Sequence, residues 1–240
     1  MRSPASGSRL LARIATLLVV GLLASGCVVS PPTSGSPDPV PALADAEDDQ
    51  DIVHRAARAG TLRVRNRTCF GVGSGSGFAL TNNTLVTNHH VIAGASEIQL
   101  STWDGRSLTT DLIAAATYGD LALVRVSDRL ETVLPIGHDP DDGAQVTVYG
   151  YPGGRAITAE PATVIDAVPG STFHHPGHVL RLDALIEQGN SGGPVLNHDG
   201  EVVAVVFAIE TATGHGLAVP ASLLQRALSH RDFVPMPPLC

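Results

Sequence analysis

Two histidines stand side by side in the segment VTNHHVI, between one short apolar run and another. His89 and His90 are both candidates for acid–base chemistry, because imidazole is the side chain whose unperturbed pKa lies nearest to neutral pH. The same pair is compatible with two polar residues at a turn without any chemical role. A nucleophile and a carboxylate elsewhere in the chain are needed to decide between these interpretations.

A serine lies inside the glycine-rich segment EQGNSGGPVLN, residues 187–197. Gly189, Gly192 and Gly193 flank Ser191, and glycines let the backbone turn tightly and a substrate come close. Such a turn can direct backbone N–H groups towards one point, which is what the binding of an oxyanion requires. A glycine-rich hairpin without function has a similar composition, so the serine alone is weak evidence.

The charge of the chain excludes several classes of mechanism and partner. All 15 basic residues are arginine, which excludes a mechanism that uses a lysine. The first 27 residues hold three arginines and no acid, so the chain without them has a formal net charge of −11 instead of −8. Since no cluster of arginines is present, we expect no nucleic-acid partner. An anionic lipid surface would repel this chain unless it were attached covalently or by a helix.

We predict a signal peptide over residues 1–27. Its arginine-containing start precedes an apolar stretch of 13 residues, 14–26, which is shorter than the roughly 20 residues that cross a bilayer. The end, LLASGC, is similar to a bacterial lipobox, although Ala24 stands where leucine is usual. We therefore expect a lipid on Cys27 and a location on the extracytoplasmic face of the bacterial cell membrane. The alternative is an ordinary cleaved signal with an incidental cysteine and a secreted protein.

Residues 28–55 are predicted to be a disordered tether, because their first part is rich in Pro, Ser, Gly and Asp without periodicity. The acidic run at 45–51 lacks the glycine and final glutamate of a calcium-binding loop, which favours a solvated linker over a calcium site.

The two remaining cysteines, Cys69 and Cys240, are predicted to form a disulfide, because export places them in an oxidising environment. The bond would close a loop of about 170 residues and stabilise the fold by about 4 kcal/mol. Two buried free thiols are the alternative.

From about residue 60 the pattern is that of an all-β protein. Short β-rich runs recur every 8 to 15 residues, separated by Gly, Pro, Asp or Asn, which favours a sandwich or barrel over alternating strands and helices. A turn-rich break at 131–143 divides this region into two lobes, 56–135 and 136–240. The segment PASLLQRALSH, residues 220–230, has the apolar spacing of a short C-terminal helix.

Five motifs in order carry a resemblance to a known family. GNSGGP is similar to the nucleophile motif of trypsin-like serine peptidases, in the form found in bacterial Deg/HtrA-type proteases. VTNHHVI resembles the histidine motif of that family, and GDLALVRV, residues 119–126, resembles its aspartate motif. GVGSGSGFAL, residues 71–80, resembles the strand that opens the first barrel, and GHGLAVPASLL resembles the last strand and terminal helix. The resemblance covers roughly residues 69–230.

This resemblance implies a chymotrypsin-like fold of two perpendicular antiparallel β-barrels with the active site between them. It implies an endopeptidase in which Ser191 attacks a peptide carbonyl, His90 accepts and returns the proton, and Asp120 orients the imidazole. The backbone N–H groups of Gly189 and Ser191 would bind the oxyanion, with Asn190 helping to fix the loop. The substrate would be a polypeptide, and neither a cofactor nor a metal is expected.

The motifs also indicate which histidine and which aspartate belong to the predicted site. The spacing of the histidine motif selects His90 and leaves His89 at a variable position. Asp120 precedes the buried-strand pattern LALVRV, whereas Asp104 and Asp111 lie in a hairpin-like stretch that we expect to face solvent.

The primary specificity pocket is predicted by position relative to Ser191. Leu185 is expected at its floor, and the wall is expected to include Val206, Ala208, Ile209 and Glu210. An apolar floor disfavours arginine or lysine in the substrate, because a charge would be desolvated without a partner. We therefore expect a small or medium apolar residue before the scissile bond, unless Glu210 points inward.

One further segment and one residue bear on metal binding and on activation. FHHPGH, residues 173–178, holds three histidines but no cysteine or nearby acid, so a surface loop is favoured over a zinc site. Asn190 stands where zymogen-activated relatives have the aspartate that pairs with a new N-terminus, so we expect no activation of that kind.

Only 49 residues follow Ser191, which leaves no room for the PDZ domain of Deg/HtrA proteins, and we therefore expect a monomer.

Two other functions remain open at this point. A non-catalytic substrate-binding or scaffold lipoprotein on the same fold is the first alternative function. An esterase is the second, but the strand–turn–helix context of its Gly-x-Ser-x-Gly motif is absent.

Overall fold

The computed structural model describes residues 42–116 and 119–236, with the side chains of its first helix described from residue 49 on. The predictions for the signal peptide, for Cys27 and for Cys240 lie outside these residues. Within them the chain forms fourteen strands and three α-helices. The prediction of an all-β fold with a short C-terminal helix is confirmed.

Strands β1 to β7 and β14, the last of the described strands, form one antiparallel sheet, which we call the first lobe. The spatial order of its strands is β14-β6-β7-β3-β2-β1-β4-β5. The strands are β1 (Thr61–Thr68), β2 (Gly71–Thr81), β3 (Thr84–Asn88), β4 (Ala95–Ser101), β5 (Ser107–Leu108), β6 (Thr110–Ala116), β7 (Leu121–Val126) and β14 (Phe233–Pro235).

The other six strands form a closed barrel, which we call the second lobe. Its order is β10-β13-β12-β11-β8-β9, with the last strand returning to the first. The strands are β8 (Gln145–Gly150), β9 (Thr158–Pro169), β10 (His178–Asp183), β11 (Pro194–Leu196), β12 (Val202–Ile209) and β13 (Gly216–Pro220). The first of these strands begins at Gln145, just after the break that was predicted at residues 131–143.

Three α-helices and two short 3-10 turns complete the described chain. The helices are α1 (Ala42–Gly60), α2 (His89–Ile92) and α3 (Ala221–His230), and the turns are Pro152–Gly154 and Gly170–Phe173. In α3 the buried residues include Leu223, Leu224 and Ala227, which lie on one face as their spacing predicted. Within the described residues no helix is both long and apolar enough to cross a membrane.

Local sequence explains the strands that carry the site. In β1 the side chains alternate between buried Leu62 and Val64 and the more exposed arginines between and after them, as in a sheet with one face on the core. Asn82 and Asn83 separate β2 from β3, and asparagine is favoured in such tight turns. β12 is an almost continuous apolar run because both of its faces are covered, with Val205 in the core shared by the lobes and Val206 in the core of the barrel.

Three details differ from the predicted architecture. Residues 42–60 form a helix, so the predicted tether to residue 55 is wrong over that part; Ala57 is buried, and His54 hydrogen-bonds Tyr149 of β8. The chain does not stay in the second lobe after α3, because β14 pairs with β6 of the first lobe. The first lobe is not closed by strand pairing, since β14 occupies the outer edge of β6.

A shared core holds the lobes together. Phe78, Val86 and Leu121 from the first lobe pack in one cluster with Tyr149 and Leu217 from the barrel. Because interiors pack densely, such a cluster resists displacement of one lobe against the other. The residues at its edge are therefore held at fixed positions relative to each other, which is what a site assembled from both lobes needs.

Candidate active site

The predicted imidazole and carboxylate meet because of the pairing of β3 with β7. Asn88 at the end of β3 is the register partner of Leu121 at the start of β7, so the residues just beyond these strands lie side by side. His90 Nδ1 is 2.6 Å from Asp120 Oδ2, and the His90 backbone N–H donates to Asp120 Oδ1 at 2.9 Å. The carboxylate thus binds the ring and the backbone of the same histidine.

This contact determines the chemical state of the ring. A nitrogen that faces a carboxylate at 2.6 Å carries the proton, so Nδ1–H of His90 donates to Asp120. Nε2 is then the acceptor nitrogen, and it is free to take a proton from a hydroxyl. The His90 side chain is 48% exposed, which leaves the ring accessible to a substrate from solvent.

Asp120 is held in an uncommon backbone conformation. Its φ is +49°, in the left-handed region that few residues other than glycine adopt, although aspartate tolerates it better than most. Two donors fix its carbonyl oxygen, namely Asn88 Nδ2 and the His89 N–H, each at 3.0 Å. Such conformations persist only where surrounding contacts enforce them, and they are frequent at functional sites.

His89 takes part in this arrangement through its backbone alone. Its N–H donates to Asp120 O, and among the described residues its ring makes no hydrogen bond with Asp120. The structure therefore brings together His90 and Asp120, as predicted, and leaves the ring of His89 outside the pair.

Ser191 lies in the loop between β10 and β11 of the second lobe. Its Oγ donates to the carbonyl oxygen of Phe207 at 3.5 Å, a long and therefore weak contact. Among the described residues no hydrogen bond joins this hydroxyl to His90. The loop itself is tied to the first lobe, because the Ser76 N–H of β2 donates to Ser191 O at 2.7 Å.

Three consecutive peptide groups around Ser191 are fixed by hydrogen bonds. The Gly153 N–H donates to Gln188 O at 2.7 Å, Ser76 Oγ donates to Gly189 O at 2.7 Å, and the Gly193 N–H donates to Asn190 O at 2.8 Å.

The N–H groups of Gly189 and Ser191 belong to the first and third of these peptides. Neither N–H has an acceptor among the described residues. Two oriented donors without an acceptor are what an oxyanion hole requires.

Two glycines are needed for this loop to approach its surroundings. Gly189 has φ +106°, and a Cβ there would overlap the Tyr151 carbonyl oxygen and lie 2.8 Å from the Gly153 nitrogen. Gly192 has φ +84°, and a Cβ there would overlap the Ser76 carbonyl oxygen. The glycine-rich segment is therefore explained by backbone conformation and close contact.

Asn190 fixes the loop with its backbone. It is 2% exposed, and its N–H donates to Glu187 O at 3.0 Å. Its side-chain oxygen Oδ1 is buried without a hydrogen-bond partner among the described residues. The side chain of Asn190 thus lies inside the protein.

The structure contradicts the prediction that Leu185 forms the floor of the specificity pocket. Leu185 is 79% exposed, whereas a residue at a pocket floor is covered by its neighbours. Ile186, one residue later, is the buried side chain, and a Cβ on Gly216 would lie 2.6 Å from its Cγ1. The side chains of Leu185 and Ile186 point to different sides. The distance in sequence from Ser191 therefore predicted the exposed residue instead of the buried one.

The predicted wall residues lie on and just after β12. Val206 is fully buried, Ala208 is partly buried and Ile209 is exposed. Glu210 is paired, since its Oε2 lies 3.8 Å from Arg181 Nη1 and 3.7 Å from His215 Nδ1.

Arg181 is itself held by a second acid. It donates to both carboxylate oxygens of Asp166 at 2.7 and 2.6 Å, and these hydrogen bonds hold the pKa of Asp166 below its usual value. Glu210 therefore faces a permanent cation and does not act as an isolated charge.

The three histidines of FHHPGH do not converge. His174 and His178 are exposed, while His175 is 4% exposed and donates through Nδ1 to Pro176 O at 2.9 Å. Among the described residues no group of three His, Cys, Asp or Glu side chains is arranged to hold a metal ion. The surface loop expected from the sequence is correct for His174 and His178 and wrong for His175.

The sequence analysis missed two groups that contact the Ser191 loop. The hydroxyl of Ser76 and the carbonyl of Phe207 both contact the Ser191 loop. A backbone carbonyl carries no sequence signal, but Ser76 stands between two glycines in GVGSGSGFAL, where a single buried hydroxyl among small residues is unusual.

Comparison with known proteins agrees with this geometry. A family model described as a trypsin-like peptidase domain matches residues 75–205. The chain is 32% identical over 167 residues to the serine protease Do-like HtrA of Bacillus subtilis, a match that covers 63% of this chain and 37% of that protein. It is 30% identical over 181 residues to the serine protease Rv3671c of Mycobacterium tuberculosis, covering 70% of this chain and 45% of that protein. The chain thus spans less than half the length of these relatives.

Solved structures resemble the fold as well. The crystal structure of Rv3671c protease from M. tuberculosis in its active form superposes with a TM-score of 0.68 and 26% identity, covering 88% of this chain and 97% of that chain. The serine endoprotease from Yersinia pestis gives 0.66 and 27%, covering 76% and 67%. A similar fold over most of the chain is consistent with the order of all five motifs.

The contacts of Gly189 predict how an added methyl group changes stability. Gly189→Ala introduces both a strained φ and a clash, and it should lower the free energy of unfolding by about 3 kcal/mol or more. Gly214 is the matched control, because it also has a positive φ, +82°, but a Cβ there meets nothing within 4 Å. Gly214→Ala should cost only about 1 kcal/mol. Urea unfolding of both variants measures the difference, and equal losses would contradict the close approach of Gly189 to Tyr151 and Gly153.

Proposed function

The chain belongs to the trypsin-like peptidase family, and on this premise we propose that it is an exported serine endopeptidase that hydrolyses peptide bonds with Ser191, His90 and Asp120. The observation that carries the proposal is the His90–Asp120 contact of 2.6 Å beside a serine loop with two unengaged amides. The imidazole has the carboxylate partner that its role requires, and the three groups come from separate parts of the chain.

The first half of the proposed reaction forms an acyl-enzyme. His90 Nε2 takes the proton of Ser191 Oγ as that oxygen attacks the peptide carbonyl, and the same proton then passes to the leaving amine as the C–N bond breaks. The negative charge of the tetrahedral intermediate lies on the former carbonyl oxygen, where the N–H groups of Gly189 and Ser191 would bind it. One such donor is typically worth about 100- to 1000-fold in rate.

In the second half, water takes the place of the amine. His90 accepts a proton from the water, which attacks the ester carbon, and Ser191 Oγ leaves with that proton. Asp120 stays ionised throughout and stabilises the imidazolium that forms in both halves. Attack requires the Ser191 hydroxyl to leave the Phe207 carbonyl and turn towards His90 by rotation of its side chain.

We propose a polypeptide substrate with a small or medium apolar residue before the scissile bond. The support for this is that Ile186 fills the space beside Gly216, and that Glu210 is paired with Arg181 at 3.8 Å. Val206, Ala208 and Ile209 would form the apolar wall. A pocket of this kind has little space for a long side chain and no unpaired carboxylate for a cation.

Location outside the cytoplasm is also part of the proposal. Curated relatives with similar sequences are named as periplasmic endoproteases, for example in Halomonas elongata at 36% identity over 146 residues. Together with the arginine-containing apolar N-terminus, this supports export, and the LLASGC motif supports lipid attachment at Cys27.

We propose in addition that Cys69 pairs with Cys240. Cys69 lies directly after β1, which ends at Thr68. Met236 lines the same cavity as Ala95, and Ala95 is the register partner of Thr68. The four residues from Met236 to Cys240 can span up to about 14 Å. The intact mass of the mature chain before and after reduction tests both this bond and the lipid.

The proposed activity predicts covalent labelling of Ser191. A fluorophosphonate probe should label the mature protein, and Ser191→Ala should abolish that labelling because the nucleophile is gone. Ser127→Ala is the control, since Ser127 lies on the surface of the first lobe, bonded to Asp111, and it should label at the wild-type rate. Absence of Ser191-dependent labelling would reject the endopeptidase and favour the scaffold lipoprotein.

The two adjacent histidines predict opposite results. His90→Ala should reduce kcat/KM on a peptide substrate by at least about 1000-fold, because the base and its link to Asp120 are lost. His89→Ala should stay within about threefold, because it keeps the backbone N–H that holds Asp120. Steady-state kinetics of both variants check this, and comparable losses would contradict the assignment of His90 as the base.

The pocket residues predict the cleavage profile. A peptide library treated with the protein should be cut after Ala, Val or similar residues, because Ile186 restricts the depth of the pocket. Mass spectrometry of the products reads the profile directly. Dominant cleavage after Arg or Lys would show that Glu210 acts as an unpaired specificity acid in spite of Arg181.

A further inference from the structure

We propose that Ser76 is a positioning residue that holds the oxyanion-binding loop in its active geometry through a hydroxyl bridge between the lobes. The bridge runs from the Tyr151 N–H to Ser76 Oγ at 2.9 Å, and from Ser76 Oγ–H to Gly189 O at 2.7 Å. This inference rests on the proposed function, because its effect is on a reaction at Ser191.

Ser76 is fixed on β2 independently of its side chain. Its N–H donates to Ser191 O at 2.7 Å, and its carbonyl oxygen accepts from Thr87 Oγ1 at 2.6 Å. The residue is fully buried, with no exposed surface. Its hydroxyl therefore projects from a rigid strand of the first lobe towards the loop of the second.

The bridge acts on the peptide that lies between the two unengaged N–H groups of the loop. Gly189 has no side chain to limit its torsions, and rotation at Gly189 would turn the following peptide and reorient the donors on either side. The bond from Ser76 Oγ fixes the Gly189 carbonyl, as the bond from Gly153 fixes the carbonyl of Gln188. Ser76 thus completes the set of bonds that aims the N–H groups of Gly189 and Ser191.

The space around the hydroxyl admits only a small side chain. A Cβ on Gly150 would lie 3.1 Å from Ser76 Oγ, and one on Gly193 would lie 3.4 Å from Ser76 Cβ. Serine fits between these glycines and both donates and accepts. An alanine would fit as well, but it would leave the Tyr151 N–H and the Gly189 carbonyl without a partner in a buried place.

The expected consequence separates binding from catalysis. The oxyanion exists only in the tetrahedral intermediate and the transition states on either side of it, so a misdirected donor weakens their stabilisation without weakening substrate binding. Loss of the bridge should therefore lower kcat and leave KM unchanged. A role in stability alone would lower the melting temperature without this separation.

The test compares Ser76→Ala and Ser76→Cys with Thr61→Val in the full mature protein. Thr61 is the matched control, because it is also fully buried and its hydroxyl donates to a carbonyl, that of Ala57, while none of the described hydrogen bonds joins this hydroxyl to the Ser191 loop. We measure kcat and KM on a peptide substrate, and the dissociation constant of a peptidyl boronic acid, which forms a tetrahedral adduct with the nucleophile.

For Ser76→Ala we expect kcat to fall about 10- to 100-fold with KM within twofold, and the affinity for the boronic acid to fall in parallel. Ser76→Cys should lie between Ala and wild type, because a thiol is a weak donor and acceptor. Thr61→Val should keep the wild-type kcat even if its melting temperature falls.

Three results separate the possible failures. If the wild type shows no Ser191-dependent labelling by a fluorophosphonate, the proposed function is wrong. If the wild type is active and both Ser76 variants keep its kcat and boronic acid affinity, the positioning role is wrong. If Ser76→Ala does not fold, Ser76→Cys decides, and a wild-type kcat for that variant overturns the proposal.

Discussion

The hydrogen bond from the Ser76 N–H to Ser191 O joins the lobes at the point where the serine loop meets the first sheet. The imidazole and the carboxylate belong to the first lobe and the serine to the second, so the site exists only while the lobes keep their relative position. Burial of Phe78 and Tyr149 in one cluster holds the lobes over a wide area. The directional bond at Ser76 fixes the remaining freedom where the chemistry would take place.

A second constraint is the backbone of Asp120. The antiparallel pairing of β3 with β7 brings His90 and Asp120 together, but a carboxylate that binds both the ring and the N–H of His90 also needs the chain to reverse abruptly before β7. The φ of +49° provides that reversal, following Gly119 at +86°. Hydrogen bonds from Asn88 and His89 to the Asp120 carbonyl offset the unfavourable conformation. The polar residues around the histidine are thus explained by the support they give to the carboxylate.

The sequence predicted the parts of the molecule that depend on local patterns. The β-rich runs, the helix α3 and the loop glycines around Ser191 all follow from periodicity or turn chemistry. Three features depend on contacts far along the chain and left no local signal. α1 is stabilised by Ala57 and by the His54–Tyr149 contact, and β14 finds its partner β6 more than 100 residues earlier. Leu185 was misplaced because spacing from Ser191 cannot tell which of two adjacent apolar side chains faces inward.

The orientation of the Ser191 hydroxyl follows from an irregularity in β12. The register between β12 and β13 shifts between Val206 and Ala208, so Phe207 has no partner across the ladder. Its carbonyl is therefore free to accept from Ser191 Oγ, while Val206 on the regular side exchanges backbone bonds with Gly192 and Gly193. At 3.5 Å the Phe207 contact is weak, and breaking it costs little compared with a bond of ordinary length. The bulge thus gives the hydroxyl a weak resting partner, which is compatible with the proposed role of Ser191 as a nucleophile.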